Sequence, residues 1–277
     1  MKRIVTVQDI SAVGKCSLTV ALPIISAMGV ECAVLPTAVL STHTQFSGFT
    51  FHDLTGEMAP IAAHWKKEGL DFDAIYTGYL GSFEQISLVE DFYQSFGQNG
   101  AKLVVDPAMA DNGKLYYGFT PEFAKKMAGL CAKADLILPN LTETCFMLGE
   151  PYSPEYDRET IRGYLKRLCA MGAKHAAMTG VSYEKGKIGV EMLDAETGEF
   201  FSYFNEHLPV AFHGTGDIFA SATVGAYAGG FSLQESLKIA VDYTLECIRK
   251  TLADPCARSY GVNFEEAIPD LVRRIGK

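Results

Sequence analysis

Residues 212–221 read FHGTGDIFAS: two glycines and a threonine directly before an aspartate, with small and apolar residues following as the start of a predicted helix. Gly214 and Gly216 permit backbone conformations that a residue with a Cβ reaches only with strain. A helix N-terminus offers unpaired N–H groups and a partial positive charge, and so suits an anion. Asp217 is itself an anion at that place, and the partial charge should keep it ionised at neutral pH. Either it caps the helix or it works on something bound over the turn, and these ten residues alone allow both.

Around this stretch, short β-rich runs alternate with longer helical ones. Strands are expected at RIVTV (3–7), CAVLPTAVL (32–40, with Pro36 marking a break or an edge), DAIYTG (73–78), KLVVDP (102–107), DLILPN (135–140) and KHAAMTG (174–180). Helices are expected over 17–28, where Pro23 implies a kink or a late start, and over 58–68, 82–99, 120–132, 141–148 and 158–171. Strand, helix, strand in repetition implies right-handed crossovers and a mostly parallel sheet covered on both faces. IGVEMLD (188–194) and EFFSYF (199–204) read as an antiparallel hairpin on its edge. The C-terminal third is helical: Ser232 and Glu235 form a capping box, followed by Leu233, Leu237, Ala240, Val241, Thr244, Leu245 and Ile248 as one buried stripe. With no repeat or linker, residues 1–277 are expected to form a single domain.

Composition bounds the function. Of 277 residues, 48% are hydrophobic and 21% charged, which implies a sizeable core. The net charge of −9 argues against a general nucleic-acid or anionic-membrane binder, while a local patch of amides or a metal ion still admits an anionic small substrate. No apolar run approaches the roughly 20 residues of a membrane span, and MKRIVTVQDI lacks the pattern of a signal peptide. The seven cysteines are widely spread without a C-x-x-C pair, which suits a reducing compartment; cytoplasm is the expectation.

In open parallel sheets ligands sit beyond the carboxyl ends of the strands. Asp9, Ser11, Thr44, Gly78, Tyr79, Asp106, Asn140, Thr179 and Asp217 should therefore converge along one edge. The common dinucleotide and P-loop motifs are missing, and Gly14-Lys15 in SAVGKCS only imitates a P-loop end. A GTGD turn can do two jobs: the amides of Gly214, Thr215 and Gly216 can surround developing negative charge, and Asp217 can accept a proton from a hydroxyl held above them. Phosphoryl transfer from a nucleotide needs that pair, together with a divalent metal for which Asp106, Asp111 and Glu143 supply hard oxygen ligands.

FHGTGD, DPAMAD (106–111), PNLTE (139–143), TGYLGS (77–82) and STHTQF (41–46) together resemble the ribokinase-like superfamily and, within it, the vitamin B6 kinases that act on pyridoxal, pyridoxine and pyridoxamine. The resemblance covers nearly the whole chain; GTGD points to the superfamily, and the S-x-H-T-Q and T-G-Y-L-G-S pieces to vitamin B6. It implies a three-layer α/β/α sandwich using ATP and Mg²⁺, with a monovalent cation such as K⁺ as a further candidate, and a homodimer. By position, Asp217 would be the base on the substrate 5′-hydroxyl, with Gly214, Thr215 and Gly216 as anion hole. Asp106, Asp111 and Glu143 would lie in the metal and phosphate region, some acting through water. Ser11 would meet the ring nitrogen or its neighbours, His43 and Thr44 the ring substituents, and Tyr79 the ring face. Asn140, Thr179, Gly180 and Tyr116 (or Tyr117) would serve the nucleotide.

Plainer readings stand beside these: His43 and His213 as packed loop histidines, Cys16 as a small inert pocket residue, Tyr79 as a core aromatic. Two departures from better-known members, a shorter loop after Ser11 ending at Cys16 and Leu138 in place of a threonine, bear on vitamer preference. The nearest enzymatic rival is a hydroxymethylpyrimidine kinase, whose relatives usually carry GTGC where this chain has GTGD. Sugar kinases usually carry an extra β-lid for which no insertion here is long enough. A non-catalytic vitamer-binding protein is the rival from another class.

Overall fold

The computed structural model describes residues 1–277, the side chain of Asn99 excepted. Strand β1 (Arg3–Ser11) lies inside a nine-stranded sheet and pairs in parallel with β2 (Glu31–Leu40) on one side and β4 (Ala74–Thr77) on the other. Beyond β4 the parallel run continues through β5 (Lys102–Val105), β8 (Leu136–Ile137) and β9 (His175–Val181). The hairpin expected on the edge is there: β10 (Lys187–Asp194) and β11 (Phe200–Glu206) run antiparallel beside β9. On the opposite edge a three-residue strand, β3 (Phe51–Asp53), pairs antiparallel with the end of β2. Two further short strands, β6 (Ala110–Asp111) and β7 (Lys114–Leu115), pair with each other outside the main sheet.

Helices cover both faces, which is why the strands are continuously apolar. Alternate residues of each strand feed alternate cores. Ile4, Tyr76, Val104 and Leu136 pack with α1 (Leu18–Ala27), α7 (Thr215–Ala228), α8 (Leu233–Ala253) and α9 (Phe264–Arg274). Val5, Ile75, Leu103 and Ile137 pack with α3 (Phe83–Phe96), α4 (Pro121–Cys131) and α6 (Arg158–Ala170), and with Met58 of α2 (Thr55–Lys67). This is the ribokinase-like three-layer α/β/α architecture.

Pro36 meets the edge alternative of its two expected readings: it lies within β2, opposite the register shift between Gln8 and Ile10, on a stretch that β3 does not reach. Two local expectations need adjusting. Pro23 sits inside α1, which starts at Leu18 and not late. Of the strand expected over 135–140 only Leu136–Ile137 is paired, because Leu138–Asn140 already turns into α5 (Leu141–Leu148). The stripe on α8 forms behind its capping box, with Leu233, Leu237, Ala240, Val241 and Leu245 buried. The seven cysteines are free thiols. Among the described residues no helix is long and apolar enough to cross a membrane.

Candidate active site

The strand order reverses at β1, with β2 added on one side and β4 on the other, and such a switch point opens a crevice at the carboxyl ends. Asp9 and Ser11 end β1, Gly78 and Tyr79 follow β4, and Asp106 follows β5. The GTGD turn comes to the same edge. Gly214 is the N-cap of α7 at φ 81°, a left-handed conformation. Thr215, Gly216 and Asp217 form the first turn, and the Thr215 hydroxyl donates to the Phe212 carbonyl at 3.3 Å. A Cβ on Gly216 would meet open space, so that face of the turn is free for a ligand.

Asp217 is half-buried, and desolvation pushes its carboxyl up to about 7; the nearby Ser17 N–H pulls it down and Asp9 adds to the rise. The helix dipole was expected to keep it ionised at neutral pH. Burial outweighs the dipole.

Behind Asp217 the acids are crowded. Asp106 is 8% exposed and its carboxyl lies well above the usual range, first through burial, then through Glu143 and Asp217. Burial also raises Glu143, to about 7, against the backbone N–H groups that hold it down. Those bonds define its place: Oε2 accepts from Asn140 N at 2.8 Å, closing the capping box of α5, and Oε1 accepts from Met109 N at 3.2 Å. Asp111 is exposed on β6 and accepts from the backbone and side chain of Asn112. No Lys, Arg or His is among the groups that set the state of Asp106, Glu143 or Asp217. Among the described residues no three His, Cys, Asp or Glu side chains close into a metal cage. Asp106, Asp111 and Glu143, expected in the metal and phosphate region with some acting through water, thus lie near one another without closing into a direct cage: each Glu143 oxygen already accepts one backbone N–H, and Asp111 accepts from Asn112.

On the other flank, Ser11 is buried and its Oγ donates to Asp9 Oδ2 at 2.9 Å. Tyr79 is half-buried, with its ring tilted against Phe119 at 5.5 Å between centroids. His43 is buried, accepts from Gln45 N through Nδ1 at 3.2 Å, and stacks on His213 at 4.6 Å. Desolvation pushes His213 down to about 4, and His43 adds to the shift, so this pair is neutral. Thr44, next to it, is exposed.

On the nucleotide side, Asn140 is the N-cap of α5 and its Nδ2 donates to the Ala110 carbonyl at 2.8 Å, tying the 106–111 loop to the helix start. Thr179 N donates to the Pro139 carbonyl at 2.9 Å, which brings β9 beside the same turn. Gly180 follows at φ 70° with nothing within 4 Å of a Cβ. Tyr116 is exposed, its N–H bonded to the Met109 carbonyl at 2.8 Å.

The SAVGKCS loop, which only imitates a P-loop end in sequence, borders the site. Lys15 is no phosphate ligand, since its Nζ is held by Glu265 at 2.9 Å and Asn263 at 3.1 Å. Its backbone nevertheless packs against Gly214. Ser17, at φ 50°, turns the chain into α1 beside Asp9 and Asp217. Sequence reasoning missed Asp9: it was named as a strand end and given no role, yet it is 4% exposed within the cleft. The D-x-S spacing at the end of β1 was the available signal.

Known proteins fit this picture. A Bacteroides thetaiotaomicron protein assigned as a phosphomethylpyrimidine kinase and crystallised with pyridoxal superposes with a TM-score of 0.92 at 42% identity, over 98% of this chain and 95% of its own. Pyridoxal kinase from Lactobacillus plantarum superposes with a TM-score of 0.90 at 32% identity, over 99% and 97%. A hydroxymethylpyrimidine/phosphomethylpyrimidine kinase of Bacillus subtilis is 26% identical over 73% of this chain and 72% of its own. The phosphomethylpyrimidine kinase family model matches residues 21–257, and the chain belongs to that ribokinase-like kinase family.

Proposed function

We propose that this protein transfers the γ-phosphoryl group of ATP to the 5′-hydroxyl of a vitamin B6 vitamer (pyridoxal, pyridoxine or pyridoxamine). The observation that carries it is the Asp217 carboxyl, held near neutral pKa in the first turn of α7 beside the Gly214–Gly216 amides. A base of that strength can take the hydroxyl proton as the new O–P bond forms and the bond to the leaving ADP oxygen breaks. The amides of Gly214, Thr215 and Gly216 are the donors available to the charge that develops on the transferred group. Ser11, His43, Thr44 and Tyr79 surround the ring, and Asn140, Thr179, Gly180 and Tyr116 border the nucleotide.

The donor set fits Mg²⁺: buried carboxylates crowd together without a cationic side chain to neutralise them, and hard oxygens are its preferred ligands. Asp106 would hold the ion, with Asp111 and Glu143 acting through water. When bound, the ion neutralises phosphate charge. A monovalent cation such as K⁺, a single catalytic domain over 1–277, a cytoplasmic setting and a homodimer belong to the same proposal.

Hydroxymethylpyrimidine phosphorylation is the second reading, favoured by the family model and by the Bacillus relative. Asp217 favours the vitamer. ADP release measured with pyridoxal, pyridoxine, pyridoxamine and hydroxymethylpyrimidine in parallel decides between them. Turnover with hydroxymethylpyrimidine alone overturns the proposal, and vitamer binding without ADP release makes the protein a binder.

A further inference from the structure

The Gly214–Gly216 turn carries two glycines, whose own backbone preferences leave its orientation open. Its neighbours have to set it. On one side the Gly214 backbone lies against the Lys15 carbonyl. Phe212, two residues earlier, packs on the core shared by α7 and α8, and its carbonyl accepts the Thr215 hydroxyl at 3.3 Å. His213, directly before Gly214, is the side chain of this stretch that phosphoryl transfer leaves unused. From the sequence it reads as a packed loop histidine, and the structure shows what it packs on.

The half-buried His213 ring stacks on His43, with 4.6 Å between centroids and 27° between planes. His43 is a firm base for that contact. Its N–H donates to the Val13 carbonyl at 3.1 Å and Val13 N donates to the Ser41 carbonyl at 3.2 Å, so the loop that carries His43 continues the β1–β2 pairing. Its ring is 2% exposed, and a Cβ on Gly14 would fall 2.6 Å from its Cδ2. Phe46 stands edge-on to it at 5.0 Å, and Tyr260 lies 6.3 Å from His43 and 5.6 Å from Phe46. Burial pushes both imidazoles below their ordinary value, so two neutral rings face each other without like-charge repulsion. Such a pair needs no exchangeable proton, and a phenyl ring can take its place. We infer that His213 is a positioning residue: its ring, stacked on His43, fixes the peptide that leads into Gly214 and so holds the Gly214–Gly216 amides in place, tied to the loop that carries His43 and Thr44. The consequence for turnover rests on the kinase reading, while the positioning rests on the ring contacts alone.

His213→Ala removes the ring and His213→Phe keeps it. In pyridoxine-dependent ADP release, His213→Ala should lower kcat about three- to tenfold, the size of one aromatic pair, with the KM for pyridoxine and for ATP within about twofold of the wild type. His213→Phe should recover most of the loss. Hydrogen exchange of the ligand-free protein reads the turn itself: the amides of residues 213–217 should exchange roughly three- to tenfold faster in His213→Ala and at the wild-type rate in His213→Phe. His213→Leu, which fills the space without a stacking face, replaces His213→Ala if that variant does not fold. Unchanged exchange in the variant without the ring overturns the inference whatever its turnover, and so does a wild-type kcat beside faster exchange. A His213→Phe variant as slow as His213→Ala also overturns it, since the imidazole nitrogens would then have a direct part in the chemistry. A wild-type protein that releases no ADP with any vitamer removes the kinase reading, and the positioning then stands or falls on the exchange rates.

Discussion

A Cβ placed on Gly214 would fall 1.9 Å from the carbonyl oxygen of Lys15, so the turn that opens α7 and the loop that opens α1 meet backbone to backbone. The Lys15 side chain is tied in turn to Asn263 and Glu265 at the start of α9, and a Cβ on Gly261 would lie 2.5 Å from Lys15 Cβ. Three segments far apart in sequence thereby fix the position of the Gly214–Gly216 amides. A preorganised anion turn needs that rigidity, since donors that must move to meet the charge lose much of their effect.

Gly214→Ala should therefore be severe. It combines a left-handed φ of 81° with a backbone clash that no side-chain rotation relieves. We expect a drop in Tm and at least a hundredfold loss of turnover. Gly216→Ala, two residues on, meets open space within the helix and should hold or slightly raise Tm. Thermal melts of the two variants side by side check the contrast; equal melting temperatures would mean that the loop yields easily.

Glu143→Gln tests the acidic side. The carboxylate accepts from Asn140 N and from Met109 N with different oxygens, and the amide of Gln can accept through only one of them. Turnover should fall and the Mg²⁺ concentration needed for half-maximal rate should rise, while vitamer affinity measured without nucleotide stays unchanged. An unaltered Mg²⁺ dependence would confine Glu143 to capping.

The layered sheet was legible because each strand is a short apolar run ending in Gly, Pro, Asp or Asn, a pattern that survives without knowledge of tertiary contacts. β3 was not, since Phe51–Asp53 is three exposed residues with no periodicity to read. The two-residue strands β6 and β7 are equally silent. In the site, GTGD and the strand-end acids announced themselves by spacing. The ionisation of Asp217 did not, because it depends on burial among Ser17 and Asp9, some 200 residues away in sequence. A similarly long separation hid the stacking of His43 on His213.

Tyr79 stands between core and cleft: half-buried, and tilted against Phe119, which itself stacks on Phe123 at 4.1 Å. Tyr79→Ala should raise the vitamer KM about tenfold, the size of roughly 1 to 1.5 kcal/mol of aromatic contact beyond burial. Tyr79→Phe keeps the ring and should restore most of that loss. If Tyr79→Ala lowers Tm while KM holds, the ring belongs to the Phe119–Phe123 stack alone.

Asp217 carries the pH dependence of both activity and stability, with opposite signs. As a base it works ionised, so kcat/KM should fall about tenfold per pH unit below its value of about 7 in the free protein. Because that value lies above the ordinary one for a carboxyl, folding favours the protonated form. The stability this group contributes is present at acid pH, below about 4, and is lost as pH rises through about 7. Asp217→Asn keeps the size, leaves the N-cap at Gly214 untouched and removes the buried charge. Turnover should drop roughly 10²- to 10⁴-fold, the range for a lost general base. Its Tm should exceed that of the wild type at pH 8, with the gap closing as the wild-type carboxyl is protonated towards pH 4. The experiment is a pair of melting curves against pH together with initial rates at saturating substrates. A variant that melts below the wild type at pH 8 and keeps full turnover per folded molecule would give Asp217 a structural part at the start of α7 and not that of the base.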